Sequence, residues 1–235
     1  MSLSTERAAI PALVITPIVV GVFVGVVATA AATVFLARDA LHLACSYADG
    51  WICADGISYL GIGAVLCGVP TLLAIVGAVV SCTVRSARAA AVWLLGLAAA
   101  AAAWPLVQTW QGVRVPVEAS RIEAWSHTVL PSGIIAAIAV VAGALGVAMR
   151  GRAASILLFI GAGALVIAMC VQPGLGVALP AAAGMLATAG WRLADAALST
   201  QPAGTQPAVQ NSSHPNADGV GTARNDRFGT GSADS

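Results

Sequence analysis

What most limits the fold of this chain is where its charges are absent. Five stretches carry no Asp, Glu, Lys or Arg: 30 residues between Arg7 and Arg38, 29 between Asp55 and Arg85, 25 between Arg88 and Arg114, 26 between Glu123 and Arg150, and 39 between Arg152 and Arg192. A helix of about 20 apolar residues covers the hydrocarbon core of a bilayer. Lipid offers no water to backbone N–H and C=O groups, so such runs read as helices that satisfy their own hydrogen bonds. A membrane barrel would instead show short segments alternating apolar and polar residues, and these runs do not alternate. Composition agrees: 59% of side chains are apolar and 9% charged, where a soluble domain carries about a quarter charged. The 11 basic residues are all arginine and stand against 10 acids, which leaves no cationic surface to hold a nucleic-acid backbone. Soluble enzymes, nucleic-acid binders and wholly disordered chains are poor fits.

The first four runs each hold one crossing. The fifth is long enough for two if it turns, and Gln172-Pro173-Gly174, followed by Gly176, supplies the turn. The expected architecture is therefore an all-α polytopic transmembrane helical bundle of six spans, with five as the alternative. The spans fall at about 11–37, 57–84, 89–108, 130–149, 153–171 and 175–191, within a bundle domain of residues 1–198. The last is near the short limit for a crossing and contains Pro180. Residues 199–235 are rich in Gly, Ser, Asn, Pro and Ala, and are expected to form a disordered tail.

Arginine placement sets the expected orientation. With the N-terminus cytoplasmic, Arg7, Arg85, Arg88, Arg150 and Arg152 face inward, joined by Arg192 if there are six spans, while Arg38, Arg114 and Arg121 face outward. This puts both termini in the cytoplasm of a multi-pass protein of the bacterial cytoplasmic membrane. A cleavable leader ending near Ala28-Thr29-Ala30 is the competing reading, but the apolar run before it is too long for a leader core. Trp93, Trp104, Trp110, Trp125 and Trp191, with Tyr59, fall near the expected membrane–water boundaries.

Two loops carry most of the polar chemistry. The first, at about 38–56, holds Cys45 and Cys53 on the side expected to be oxidising, and a disulfide between them is expected. Its two Ala-Asp-Gly triplets favour tight turns. The second, at about 108–132, has a stretch from Val117 to Trp125 that suits a short interfacial helix, with Glu118 and Arg121 at ion-pair spacing. His42, Asp49, Asp55, Glu118, Arg121, Glu123 and His127 together form a candidate polar cluster on the outer face. Cys67, Cys82 and Cys170 read as small buried hydrophobes.

The spans hold no ionisable Asp, Glu, Lys, Arg or His, which are the usual marks of proton relays and ion pathways. No zinc-ligand spacing, phosphate loop or catalytic set is apparent, so no cofactor, metal or enzymatic activity is expected. What the spans do carry is small residues: Gly21 and Gly25, Gly143 and Gly146, and Gly161 and Gly163 are helix-packing candidates. Pro17 and Pro70 lie inside the first two spans and are expected to kink them. The leading expectation is a non-catalytic accessory, scaffold or interaction subunit. Its partners would be the lipid bilayer and a membrane protein or a second copy, with no nucleic acid. The alternative is passive small-molecule or lipid transport along a pathway between the kinked helices. A membrane enzyme using His42 and His127 would need them to converge in one pocket.

Overall fold

The computed structural model describes residues 3–47, 50–53, 56–114 and 120–199. In chain order the elements are α1 (Leu3–Phe35), continued by a π turn at Leu36–Ala40; a hairpin of β1 (Cys45–Tyr47) and β2 (Trp51–Cys53); α2 (Gly56–Thr83); α3 (Ala87–Gly112); the short α4 (Arg121–Thr128); α5 (Leu130–Ala148); α6 (Arg152–Val171); a 3-10 turn at Pro173–Leu175; and α7 (Ala178–Ser199). Five of the helices, α1, α2, α3, α5 and α6, are long and apolar enough to cross a membrane. The chain is an all-helical, multi-pass membrane protein.

Helix ends follow local chemistry. The Ser86 hydroxyl caps α3 by accepting from the Ala89 amide at 3.4 Å, and Ser120 caps α4 through the Glu123 amide at 3.4 Å. Gly151, at φ +77°, makes the tight α5–α6 turn in a backbone region that L-residues avoid. Pro173 starts the turn after α6, and Gly176 at φ +72° sends the chain back into α7. The Pro-Gly break therefore falls where the sequence places it.

α1, α2, α3 and α6 pack around α7, and α5 completes an outer ring by packing on α3 and α6. Nearly every residue from Gly174 to Gly190 is buried. α7 runs antiparallel to α1: Gly184 faces Pro17 and Ile18, Gly21 faces Pro180 and Ala181, and Gly25 faces Val177. At one end of the bundle the 3-10 turn lies against Ala32 and Leu36 of α1. At the other, Arg192 of α7 reaches the C-terminus of α2. At 22 residues, about 33 Å of helix, α7 traverses the bundle from end to end. It also runs well beyond the expected 175–191, to Ser199, and α3 runs past the expected 108 to Gly112. The tail calls from 200 onward lie outside the described residues.

The centre is filled mainly by Ala and Leu with Met185, while Phe23, Leu60, Leu72, Ile138 and Ile156 stand exposed at 68, 71, 62, 60 and 55% on the outside of the ring. A soluble protein does not present such a continuous apolar exterior. In lipid it costs nothing, and small interior residues bring helices into close van der Waals contact. Buried hydroxyls bond back along their own helices: Thr33 to Thr29 O at 2.8 Å, Thr109 to Pro105 O at 2.7 Å, Ser132 to Val129 O at 2.9 Å and Thr188 to Gly184 O at 2.8 Å. Among the described residues no buried side-chain N or O is left without a partner, as a medium without water requires.

Two kinds of residue depart from expectation. Cys82 and Cys170 are exposed and Cys67 is half-buried, because on a lipid-facing helix the bilayer itself supplies the apolar surroundings. Tyr59 is buried at 6% exposure rather than lying in an aromatic belt, because its hydroxyl has a structural partner in the first loop, described next.

Candidate functional site

One end of the bundle carries the hairpin and α4 and is called here the loop face. The opposite end carries the two short turns at 84–86 and 149–151 and is called the turn face.

On the loop face, Cys45 and Cys53 form a disulfide and are directly paired across the antiparallel hairpin. Closing so short a loop contributes ~2–3 kcal/mol to holding the cap together. The hairpin was not apparent from the sequence, because strands of three residues show too little alternation to be read. The chain enters it through two non-glycine residues with left-handed backbone, His42 at φ +49° and Ala44 at φ +59°. Several contacts hold this entry. The Tyr59 hydroxyl donates to Leu43 O at 3.0 Å, and the Arg114 amide donates to Leu41 O at 3.2 Å. Leu43 also lies directly over Gly112, where any Cβ would meet it at 2.8 Å. The His42 ring stacks on Trp51 at 3.8 Å, and Tyr47 meets Trp51 edge-on at 5.2 Å.

The second loop is anchored separately. Trp125 of α4 packs edge-on against Trp110 at 5.5 Å, and its indole N–H donates to Thr109 Oγ1 at 3.2 Å. The Gln172 side chain donates to Thr128 O at 2.8 Å. α4 begins at Arg121, later than the expected helix at Val117, and residues 115–119 lie outside the described residues.

The candidate polar cluster does not assemble as one set. His42 is engaged with Trp51 in the hairpin, whereas Arg121, Glu123 and His127 are exposed on α4. Asp49, Asp55 and Glu118 lie outside the described residues. Among the described residues no three His, Cys, Asp or Glu side chains gather as metal ligands.

Five of the six glycine candidates pack inside the molecule. Gly21 and Gly25 cross α7, Gly143 accommodates Leu95 and Leu186, Gly146 lies on Ala154 and Leu157, and Gly161 on Ala139. Gly163 does not: a Cβ there would meet nothing within 4 Å. It lines a groove of about 340 Å³ between α1 and α6, with Pro180, Ala183, Gly184 and Ala187 of α7 at its base. This is the seam where the ring stays open. The axis of the bundle itself is occupied by α7, with Pro17 seated on Gly184 and Pro70 buried in α2.

Three functional-scale features were missed. One is Gly184, half of the central crossing, which sits in an Ala-rich segment whose small face the pattern Pro180-Ala-Ala-Ala-Gly184 already displays. Another is arginine capping on the turn face. Arg192 donates to Ser81 O, Val84 O and Arg85 O at 2.7, 2.8 and 3.5 Å, and Arg88 to Val147 O, Ala148 O and Met149 O at 3.4, 3.2 and 3.0 Å. Both serve the last carbonyls of a helix, where its negative dipole end favours a cation. The third is a cavity of about 560 Å³ under the hairpin, between the loop-face ends of α2 and α3. No family model, no curated protein and no solved structure matches this chain.

Proposed function

We propose that the protein is a non-catalytic scaffold or accessory subunit of the bacterial cytoplasmic membrane, and that it receives an apolar helix of a partner protein in the seam between α1 and α6. The observation that carries this reading is the open seam. Here the glycine- and alanine-rich side of α7 is reachable from the bilayer, flanked by the exposed Val20, Val24 and Val166, whereas the groove between α1 and α2 is lined by larger side chains such as Ile18, Val22, Phe23 and Ile75. Small residues at the base let a helix backbone come close, and apolar walls on both sides add contact area in a medium where packing drives association. The arginine-rich turn face supports placing both termini on the cytoplasmic side. A reporter fused after Ser235 tests that placement: cytoplasmic activity is expected, and external activity contradicts it.

The partner reading is tested with a photocrosslinking residue placed at Val20 or Val166 in the native membrane, with Leu72 on the far side of α1 as control. One discrete protein adduct is expected from the seam positions and none from Leu72. Gly163→Trp fills the groove without a clash at Cβ and is expected to abolish the adduct. An adduct that persists in Gly163→Trp, or crosslinks to lipid alone, overturns the proposal.

A further inference from the structure

The cavity under the hairpin is chemically different from the seam and supports an inference independent of the partner-helix reading. It lies where α2 and α3 reach the loop face, so one side belongs to the apolar belt and the other to the polar cap. Its walls are apolar, formed by Leu43, Ile62, Val65 and Leu66, and its rim carries two polar side chains, Gln108 and Arg114. Arg114 is exposed, and among the described residues no acid pairs with it and no carbonyl accepts from its guanidinium. That sets it apart from Arg88 and Arg192, whose guanidinium groups are taken up in helix capping.

The rim is also held in place. The Arg114 amide bonds to Leu41 O, Leu43 is fixed by Tyr59 and by its seat on Gly112, and the hairpin is closed by the disulfide. On the bilayer side the Trp104 indole donates to Val65 O at 3.1 Å, bracing α2 one residue before Leu66, whose carbonyl loses its helical partner at Pro70. At about 560 Å³ the space is in the ordinary range of a small-molecule site, roughly 300–1,000 Å³.

We propose that this cavity is a binding site for an anionic phospholipid of the surrounding bilayer. The phosphate would be held at the rim by Arg114 and Gln108, and the first part of an acyl chain would lie on Leu43, Ile62 and Leu66. The pairing of the Arg114 guanidinium with an apolar wall at the membrane boundary selects an amphiphile with a negative head. A soluble anion has no use for the apolar wall, and a zwitterionic lipid gains less from Arg114.

The test uses the full-length purified protein in micelles of a neutral detergent, titrated with dioleoylphosphatidylglycerol, dioleoylphosphatidylcholine or inorganic phosphate, and read by direct equilibrium binding. Two variants interrogate the site. Arg114→Gln removes the anchor at an exposed position. Gly61→Phe fills the cavity from α2, where a Cβ meets nothing within 4 Å, so folding is preserved. Arg152→Gln, on the turn face, is the control. Phosphatidylglycerol is expected to bind the wild type more tightly than phosphatidylcholine and to lose about tenfold in affinity in each cavity variant, the loss expected for one charged hydrogen-bonding anchor. Arg152→Gln is expected to bind as the wild type. Equal binding of the two lipids, unchanged affinity in both Arg114→Gln and Gly61→Phe, an equal loss in Arg152→Gln, or full competition by inorganic phosphate would each overturn the proposal.

Discussion

α6 and α7 are neighbouring helices of similar length, 20 and 22 residues, whose apolar parts come from a single charge-free run, yet they solve opposite problems. α6 is two-sided. Leu158, Leu165 and Ala168 are buried against the bundle, while Ile156, Ile160 and Ile167 are exposed at 55, 56 and 58%. α7 is buried along nearly its whole length to Gly190, with only the side that carries Pro180, Ala183, Gly184 and Ala187 bordering the seam. α6 uses large branched side chains because lipid is one of its neighbours. α7 carries Gly, Ala and Pro where it crosses α1, because only small residues let the backbones come so close, and it fills the interior elsewhere with Leu179, Met185 and Leu186. In this bundle, exposed branched side chains mark contact with lipid, and the smallest residues mark the closest helix crossings.

That contrast can be broken most forcefully at the central crossing. Gly184→Leu would drive a side chain into the backbone of Pro17 and Ile18, and should destabilise the bundle by about 3 kcal/mol in a reversible unfolding measurement in mixed micelles. Within α6, Leu165→Ala opens a void in the interior and should cost about 2 kcal/mol, the low end for such a truncation because the side chain never returns to water. Arg192→Ala leaves the last carbonyls of α2 without their partner, an expected loss of ~1–2 kcal/mol by the same assay. The smallest effects sharpen the comparison: Ile167→Ala, on the lipid side of α6, and Gly163→Leu, in the open seam, should each fall within about 0.5 kcal/mol of wild type. If Gly163→Leu were as damaging as Gly184→Leu, the distinction between seam and core would fail.

The same contrast explains how much was legible in the sequence. The five lipid-facing helices were readable because hydropathy measures what lipid contact demands. The turn at Pro173-Gly174 was readable because proline and glycine act locally. α7 was recognisable as a helix but looked marginal as a span, and its central place was hidden, because a buried helix need not be strongly apolar. Gly21 and Gly25 signalled a close approach without naming the partner, since a spacing on one helix says nothing of which face lies opposite. The Cys45–Cys53 pairing was legible from the short spacing of two cysteines outside the apolar runs. The hairpin, the Leu43 roof and the Arg114 rim were not, because they depend on a tyrosine, a glycine and a backbone amide brought together from three separate segments. Arg192 was counted as an orientation signal, while its role as a cap on α2 depends on a contact across more than a hundred residues.

The most direct test of the central arrangement is labelling of the intact protein in lipid vesicles with a small hydrophobic carbene reagent, followed by residue-level mass spectrometry. The account predicts strong labelling at Phe23, Leu72, Ile138 and Ile156, with Leu179, Met185, Leu186 and Ala189, on the sides of α7 away from the seam, protected. Labelling of those four α7 residues as heavy as that of Ile156, or protection of the four ring residues, would contradict it.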